Sequence, residues 1–261
     1  MLAAVTVATM LGGLIAVGLD LGDIGRACGG SAGRMFAGQQ GSLGPSARVH
    51  LDLSCGDLNV ATVAGSDWSL TGTNTNGDAP EVSSAADRVT IESRQRGGFF
   101  IFGASNRDAW TVSLPSGPTL DLEVDVNAAS GQLALTGAKF ERAQFDANAT
   151  SLRIDFTGST LSRLDVGVNA GSVRMVLPNA SLSGSFEANA GSIAFCVPDG
   201  VGLRIATNDN ITGANNFGDR GLTKSGSVWE TPGFTSATTR IDLTTNANAA
   251  AINLNPEDGC R

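Results

Sequence analysis

Between residues 120 and 208 apolar and polar positions alternate, and the alternation breaks at near-constant intervals on an Asn-Ala pair. The runs 120–135, 142–156, 162–177 and 184–197 share one form: apolar-polar-apolar-polar-apolar, Asn-Ala, a small residue, Ser, then a second alternating run. Asn127, Asn148, Asn169, Asn189 and, more weakly, Asn208 mark the breaks, with separations of 21, 21, 20 and 19 residues. One residue before these asparagines stand Val126, Ala147, Val168 and Ala188; three before them stand Val124, Phe145, Val166 and Phe186. The intervening positions hold Asp125, Asp146, Gly167 and Glu187. Strict alternation of this kind predicts a strand with one buried and one wet face. It resumes after each break with Leu152, Ile154 and Phe156, then Val173 and Met175, then Ile193 and Phe195.

Two strands and a tight corner per period of about 20 residues predict a β-solenoid, because one coil cannot bury its apolar face and stacked coils can. Corners then lie over one another at about 4.8 Å, where stacked Asn amides can hydrogen-bond along the column. The asparagines therefore read as structural and not as active-site candidates. The template returns at residues 48–60, with Ser54 in the Asn place and Cys55-Gly56-Asp57 as the corner. It returns again at residues 240–254, with Asn246 in that place, and residues 226–229 read as one degenerate coil. The fold class is all-β, a single-stranded β-solenoid of about 20–21 residues per coil and six or seven coils. Residues 66–118 break the pattern: 68–73, 89–93, 99–102 and 110–114 read as strands, with Asn76-Gly77 and Gly97-Gly98 as turns. An open solenoid end exposes unpaired strand edges, so this stretch is expected to be an irregular hairpin cap or lateral sheet.

Residues 1–19 carry no charge and end at Asp20. As a helix they would span about 28 Å, close to the thickness of a bilayer core. A cleaved signal peptide wants a basic start, and Met1 opens directly on apolar residues. Arg26 sits where a lipoprotein motif ending at Cys28 would need a small side chain. A transmembrane helix over 1–20 is therefore the preferred reading, ahead of a signal-like segment or a buried helix. A flexible Gly/Ser/Ala linker over 21–46, the solenoid over 47–255 and a tail over 256–261 follow. Arg26, Arg34 and Arg48 come after the span, which by the positive-inside rule points the domain to the cytoplasm. The abrupt apolar start also allows earlier residues ahead of Met1.

Composition narrows the chemistry. With 17 Lys and Arg against 25 Asp and Glu, and a net charge of −8, the chain of 261 residues lacks the footprint of a nucleic-acid binder. One histidine and four scattered cysteines leave little for multi-ligand zinc or histidine-relay chemistry. Charged residues are only 16% and glycines number 34, as suits a chain built of strands and tight corners. His50 shares a wet face with Asp52, but no nucleophile accompanies the pair. Asp125, Asp146 and Glu187 fall at equivalent outward positions of different coils, with Asp165 offset by two residues and Gly167 interrupting the row. Such a stripe could hold carboxylates at glycosidase-like separations, or it is simply the solvated face of a sheet. Cys28, Cys55, Cys196 and Cys260 allow three disulfide connectivities and their spacing favours none.

The run from Trp110 to Leu133, with Leu114-Pro115-Ser116-Gly117 leading into strands punctuated by small-residue corners, resembles the putative-adhesin domain of bacterial membrane proteins. The wider group includes the LiaG and LiaF proteins of the envelope-stress response, also called toastrack domains. The resemblance covers roughly residues 47–255 and specifies fold better than activity. It implies a membrane-tethered, commonly extracytoplasmic domain with no established catalytic residues; the post-span arginines depart from that layout. The expected function is a non-enzymatic, membrane-anchored interaction or sensing module of the bacterial cell envelope, in the envelope-stress response. The alternatives are a surface adhesin or self-assembling scaffold and, at low weight, a polysaccharide-acting enzyme. The expected partners are the membrane, through the N-terminal helix, and a protein or cell-wall polymer. No catalytic, cofactor-binding or metal-ligating residue is assigned.

Overall fold

The computed structural model describes residues 33–94, 107–208 and 214–260. The expected transmembrane helix, the linker as far as residue 32 and the expected strand at 99–102 lie outside the described residues. Among the described residues no helix is long and apolar enough to cross a membrane. In chain order the strands are β1 (Arg34–Met35), β2 (Gln39–Ser42), β3 (Ser46–Leu53), β4 (Gly56–Val63), β5 (Asp67–Asn74), β6 (Glu81–Ala85), β7 (Arg88–Glu92) and β8 (Asp108–Pro115). The repeats supply β9 (Thr119–Asn127), β10 (Ala129–Ala134), β11 (Lys139–Asp155), β12 (Thr160–Val176), β13 (Leu182–Ala188) and β14 (Gly191–Cys196). The C-terminal part adds β15 (Gly202–Thr207), β16 (Ala214–Asn215), β17 (Thr223–Ser225), β18 (Val228–Glu230), β19 (Arg240–Ala247) and β20 (Ala250–Leu254).

Each repeat is one rung with two arms, and parallel pairing stacks the arms into two walls. The first wall runs β7, β3, β9, the first arm of β11, that of β12, then β13, β19 and β15. The second runs β8, β4, β10, the second arms of β11 and β12, then β14, β20 and β16. Alternation turns one apolar stripe of each arm toward the facing wall. Val124, Val126, Phe145, Ile154, Phe156, Met175, Phe186 and Phe195 are at most 1% exposed. Edge-on contacts between arms, Phe145 with Phe156 at 6.1 Å and Phe186 with Phe195 at 5.2 Å, bridge the walls. The solenoid is thus confirmed as an all-β rack with its core between two walls.

The corners hold the expected amide ladder. Asn148 Nδ2 donates to Asn127 Oδ1 (2.9 Å), Asn169 to Asn148, Asn189 to Asn169 (2.7 Å) and Asn248 to Asn189 (3.3 Å). Asn248, not Asn246, occupies the last place. Ala188 pairs with Ala247 and Glu187 with Asn246, so the alternation buries Ala247 (2% exposed) and puts the corner one residue later. Thr207 pairs with Thr245, so Asn208 falls opposite Asn246 and outside the ladder. The turn that ends each strand-corner-strand repeat closes the rungs: Leu135-Thr-Gly-Ala and Phe156-Thr-Gly-Ser carry Gly137 and Gly158 at φ 67° and 73°.

Both ends depart from chain order. The first template rung, β3–β4, is interior, covered by a rung made of β7 and β8 from the expected cap. The last template rung, β19–β20, is inserted between β13–β14 and β15–β16. The reason is the edge problem: strands with the cleanest alternation pair on both sides, and short antiparallel pieces close the ends. At one end β5 pairs antiparallel with β8, β1 and β2 with β5, and β6 with β7. Gly33 to Pro45 therefore belongs to the sheet and not to a flexible linker, with Phe36 and Leu43 at most 5% exposed. At the other end residues 223–230 form the β17–β18 hairpin against β15, not a degenerate coil.

The corner backbone comes in two versions. In one, Gly171 (φ 123°) or Gly191 (φ 110°) makes the bend, and a Cβ there would stand 2.0 Å from the carbonyl oxygen of Thr150 or Gly171. In the other, Ala128, Ala149 and Ala249 take φ values of 46°, 50° and 49°, a left-handed conformation that costs an L-residue about 1–2 kcal/mol. Gly171→Ala should destabilise the domain by about 2–4 kcal/mol, whereas Ala149→Gly should stabilise it by about 0.5–1 kcal/mol, both read by urea unfolding. At the same corner Thr150 is fully buried and its hydroxyl has no partner. Thr150→Val keeps the shape, removes the orphaned hydroxyl and should stabilise by about 1 kcal/mol in the same measurement.

Candidate functional site

With the core filled by side chains, chemistry is left to the outer faces of the walls. Period-two alternation sends every second residue of each arm outward, and parallel register aligns those residues into rows across the rungs. On the first wall one row runs Glu92, Asp52, Asp125, Asp146, Gly167, Glu187 and Asn246. The adjacent row runs Thr90, His50, Glu123, Gln144, Asp165 and Ser185. The sequence reading of Asp125, Asp146 and Glu187 as one stripe broken by Gly167 agrees with this register. So does the offset of Asp165.

The neighbours of these carboxylates divide the face. Asp165 receives Arg163 at 2.8 Å, Arg142 at 3.1 Å and the Ser185 hydroxyl at 2.9 Å. These partners outweigh its desolvation and hold its carboxyl below the usual range. His50 Nε2 lies 2.9 Å from Asp125 Oδ2 on the next rung, not beside Asp52 as alternation within one strand suggests. Glu123 stands directly opposite His50, and the three side chains bring a ligand-type atom each within 4.8 Å of one another. Asp52 is flanked by Asp125 and Glu92 on the rungs to either side. Burial first, and then the Asp125 charge, push its carboxyl upward against a lowering influence from His50. Side-by-side carboxylates in one row differ from a glycosidase pair, which flanks a scissile bond from two sides.

The outer face of the second wall holds a groove of about 650 Å³. Its floor is a row of small hydroxyls, Ser130, Ser151 and Ser172, in register on successive rungs. Ser130 donates to Asp57 (2.6 Å), which also receives Arg107 (2.8 Å). The far side is built by the C-terminal segment: Arg174 pairs with Asp258 (2.6 Å) and donates to the Gly259 carbonyl (3.0 Å). The Arg174 guanidinium holds the Asp258 carboxyl below its usual range. A Cys196–Cys260 disulfide pins that segment to β14, and Cys55 is in a disulfide as well.

Several members of these faces escaped the sequence reading. Glu92, Glu123 and the cross-rung pairing of His50 depend on β7 and β9 lying on either side of β3, which chain order does not give. The groove depends on a disulfide between residues 64 apart. The signal present for Glu123 was its place two residues before Asp125 in a strand already aligned.

Residues 44–177, just over half of the chain, match the N-terminal domain of toast_rack, DUF2154. The chain belongs to this toast-rack family. Among solved structures it is similar to a "putative cell adhesion protein" from Clostridium sporogenes, with a TM-score of 0.52 and 14% identity over 84% of this chain and 98% of that one. A "putative adhesin" from Bacteroides fragilis matches at a TM-score of 0.32 and 7% identity, over 85% of this chain and 97% of the other. No curated protein matches the chain.

The raised Asp52 carboxyl has a signed consequence. A folded-state value above the unfolded one means that the native state holds the proton more tightly, so stability falls as pH rises from the unfolded range through the folded value. Asp52→Asn should therefore raise the melting temperature at pH 7, with the gain shrinking to nothing as both states become protonated near pH 3. Melting curves of the two proteins across that range check it.

Proposed function

We propose that this protein is a non-enzymatic, membrane-anchored interaction or sensing module of the bacterial cell envelope, with its rack outside the cytoplasm. The observation that carries this reading is membership of the toast-rack family, in a fold that fills its interior with packing and offers regular polar outer faces. Disulfides at Cys196–Cys260 and at Cys55 favour an oxidising compartment and weigh against the orientation drawn from Arg26, Arg34 and Arg48. The partner is a protein or a cell-wall polymer, bound across the rungs along the faces; an envelope-stress role rests on the LiaG- and LiaF-like resemblance alone.

A surface adhesin is the second reading. It is favoured by the fold shared with the cell adhesion protein candidate of Clostridium sporogenes.

Both readings require the rack to face outward. Ser83 is exposed on the edge strand β6, and a Ser83→Cys variant should react with a membrane-impermeant maleimide in intact cells. Reaction only after permeabilisation would overturn the outward orientation and both readings with it. Mild crosslinking in intact cells then separates them: an interaction or sensing module is recovered with an envelope component of its own cell, an adhesin with material added from outside.

A further inference from the structure

We infer that the outer face of the first wall carries a site for a first-row divalent metal ion, ligated by His50 Nε2 and by the carboxylates of Asp125 and Glu123. The donors sit on β3 and β9, adjacent parallel strands, with His50 directly opposite Glu123. His50 Nε2 and Asp125 Oδ2 are 2.9 Å apart, and one donor atom from each residue lies within 4.8 Å of the others. An ion with bonds of about 2.0–2.2 Å would draw such a set together by rotation of the half-buried side chains, leaving the backbone in place. All three donors are mounted on strands paired on both sides, so the site is held by the rack and not by a loop. One imidazole and two carboxylates suit zinc, manganese or iron(II), while an all-oxygen set would suit calcium.

Charge compensation points the same way, independently of donor geometry. Several acidic groups elsewhere on the outer faces are matched by arginines: Asp57 by Arg107, Asp121 by Arg48, Asp165 by Arg142 and Arg163, Asp242 by Arg204, Asp258 by Arg174. Around His50 carboxylates crowd together instead. Glu92, Asp52 and Asp125 stack on adjoining rungs with Glu123 beside them, and among the described residues no arginine or lysine forms an ion pair with any of the four. Like charges opposed on neighbouring strands repel, and the fixed register prevents relief by slippage. A dication bound at His50 would offset half of that charge, and Asp52 would then stand next to the ion as an outer carboxylate.

The test is isothermal titration of the full-length chain in detergent with zinc chloride, repeated with manganese chloride. Uptake of one equivalent by the wild type is expected, weakened roughly tenfold or more by His50→Gln or Asp125→Asn. Asp121→Asn removes a charge from the same face but from the pair with Arg48, and should bind as the wild type does. Circular dichroism melts confirm that each variant is folded. The proposal is overturned if the wild type takes up neither ion saturably, or if His50→Gln binds as tightly as the wild type.

Discussion

Parallel stacking of one rung on the next, in register, is what the rest of this structure depends on. A single rung has two arms whose backbone groups point up and down the stack, where only another rung can pair them. The walls also fix what may lie over what. Asparagine succeeds at the corner because its amide has both a donor and an acceptor, so Asn127, Asn148, Asn169, Asn189 and Asn248 satisfy one another along the stack. Glycine succeeds at 171 and 191 because there backbone lies directly on backbone and leaves no room for a Cβ. Alanine at 128, 149 and 249 reaches the same bend by taking the left-handed conformation itself.

A stack has ends, and an unpaired end strand would recruit another chain. The toast rack meets this by moving its most regular rungs inward. β3–β4 and β19–β20 come first and last among the template rungs in the chain, yet both pair on two sides. What remains outside is short and antiparallel, such as β6 with its pattern of mostly exposed residues and the β17–β18 hairpin. Insertion of this kind needs long connections, which is where the irregular stretches of the sequence fall.

Period and alternation made the interior rungs legible. They identified the strand-corner-strand unit, the buried residues Val124, Phe145, Val166 and Phe186, and the outward stripe through Asp125, Asp146 and Glu187. The order of rungs was not legible, because alternation says which face a residue occupies but not which rung its strand adjoins. Two misplacements follow from that gap: His50 set beside Asp52 and not Asp125, and the stretch 66–118 treated as outside the stack when β7 and β8 form one of its rungs. Asn246 put at a corner that Asn248 holds is a slip of alternation within one strand, where Ala247 turns inward. The Cys196–Cys260 pairing was hidden for a related reason, since it joins the strand after one corner to a tail that follows an inserted rung.

The constraint that places amide over amide also places carboxylate over carboxylate. Asp125 pairs in register with both Asp52 and Asp146, and neither strand can slip by one residue without turning its apolar face to water. Such a row therefore survives only where something offsets the repulsion. In the adjacent row Asp165 lies between Gln144 and Ser185, and Arg142 and Arg163 compensate it within the chain. For the row through Asp52 and Asp125 the protein supplies only His50 and, at Asp146, the neutral Gln144 amide, and burial together with the neighbouring charge draws the Asp52 carboxyl toward its protonated form. The two rows thus stand side by side on the first wall. Asp165 is closed within the chain, whereas the row through Asp52 and Asp125 leaves negative charge directed at solvent, on the rigid face where a cation or a cationic partner would find it already assembled.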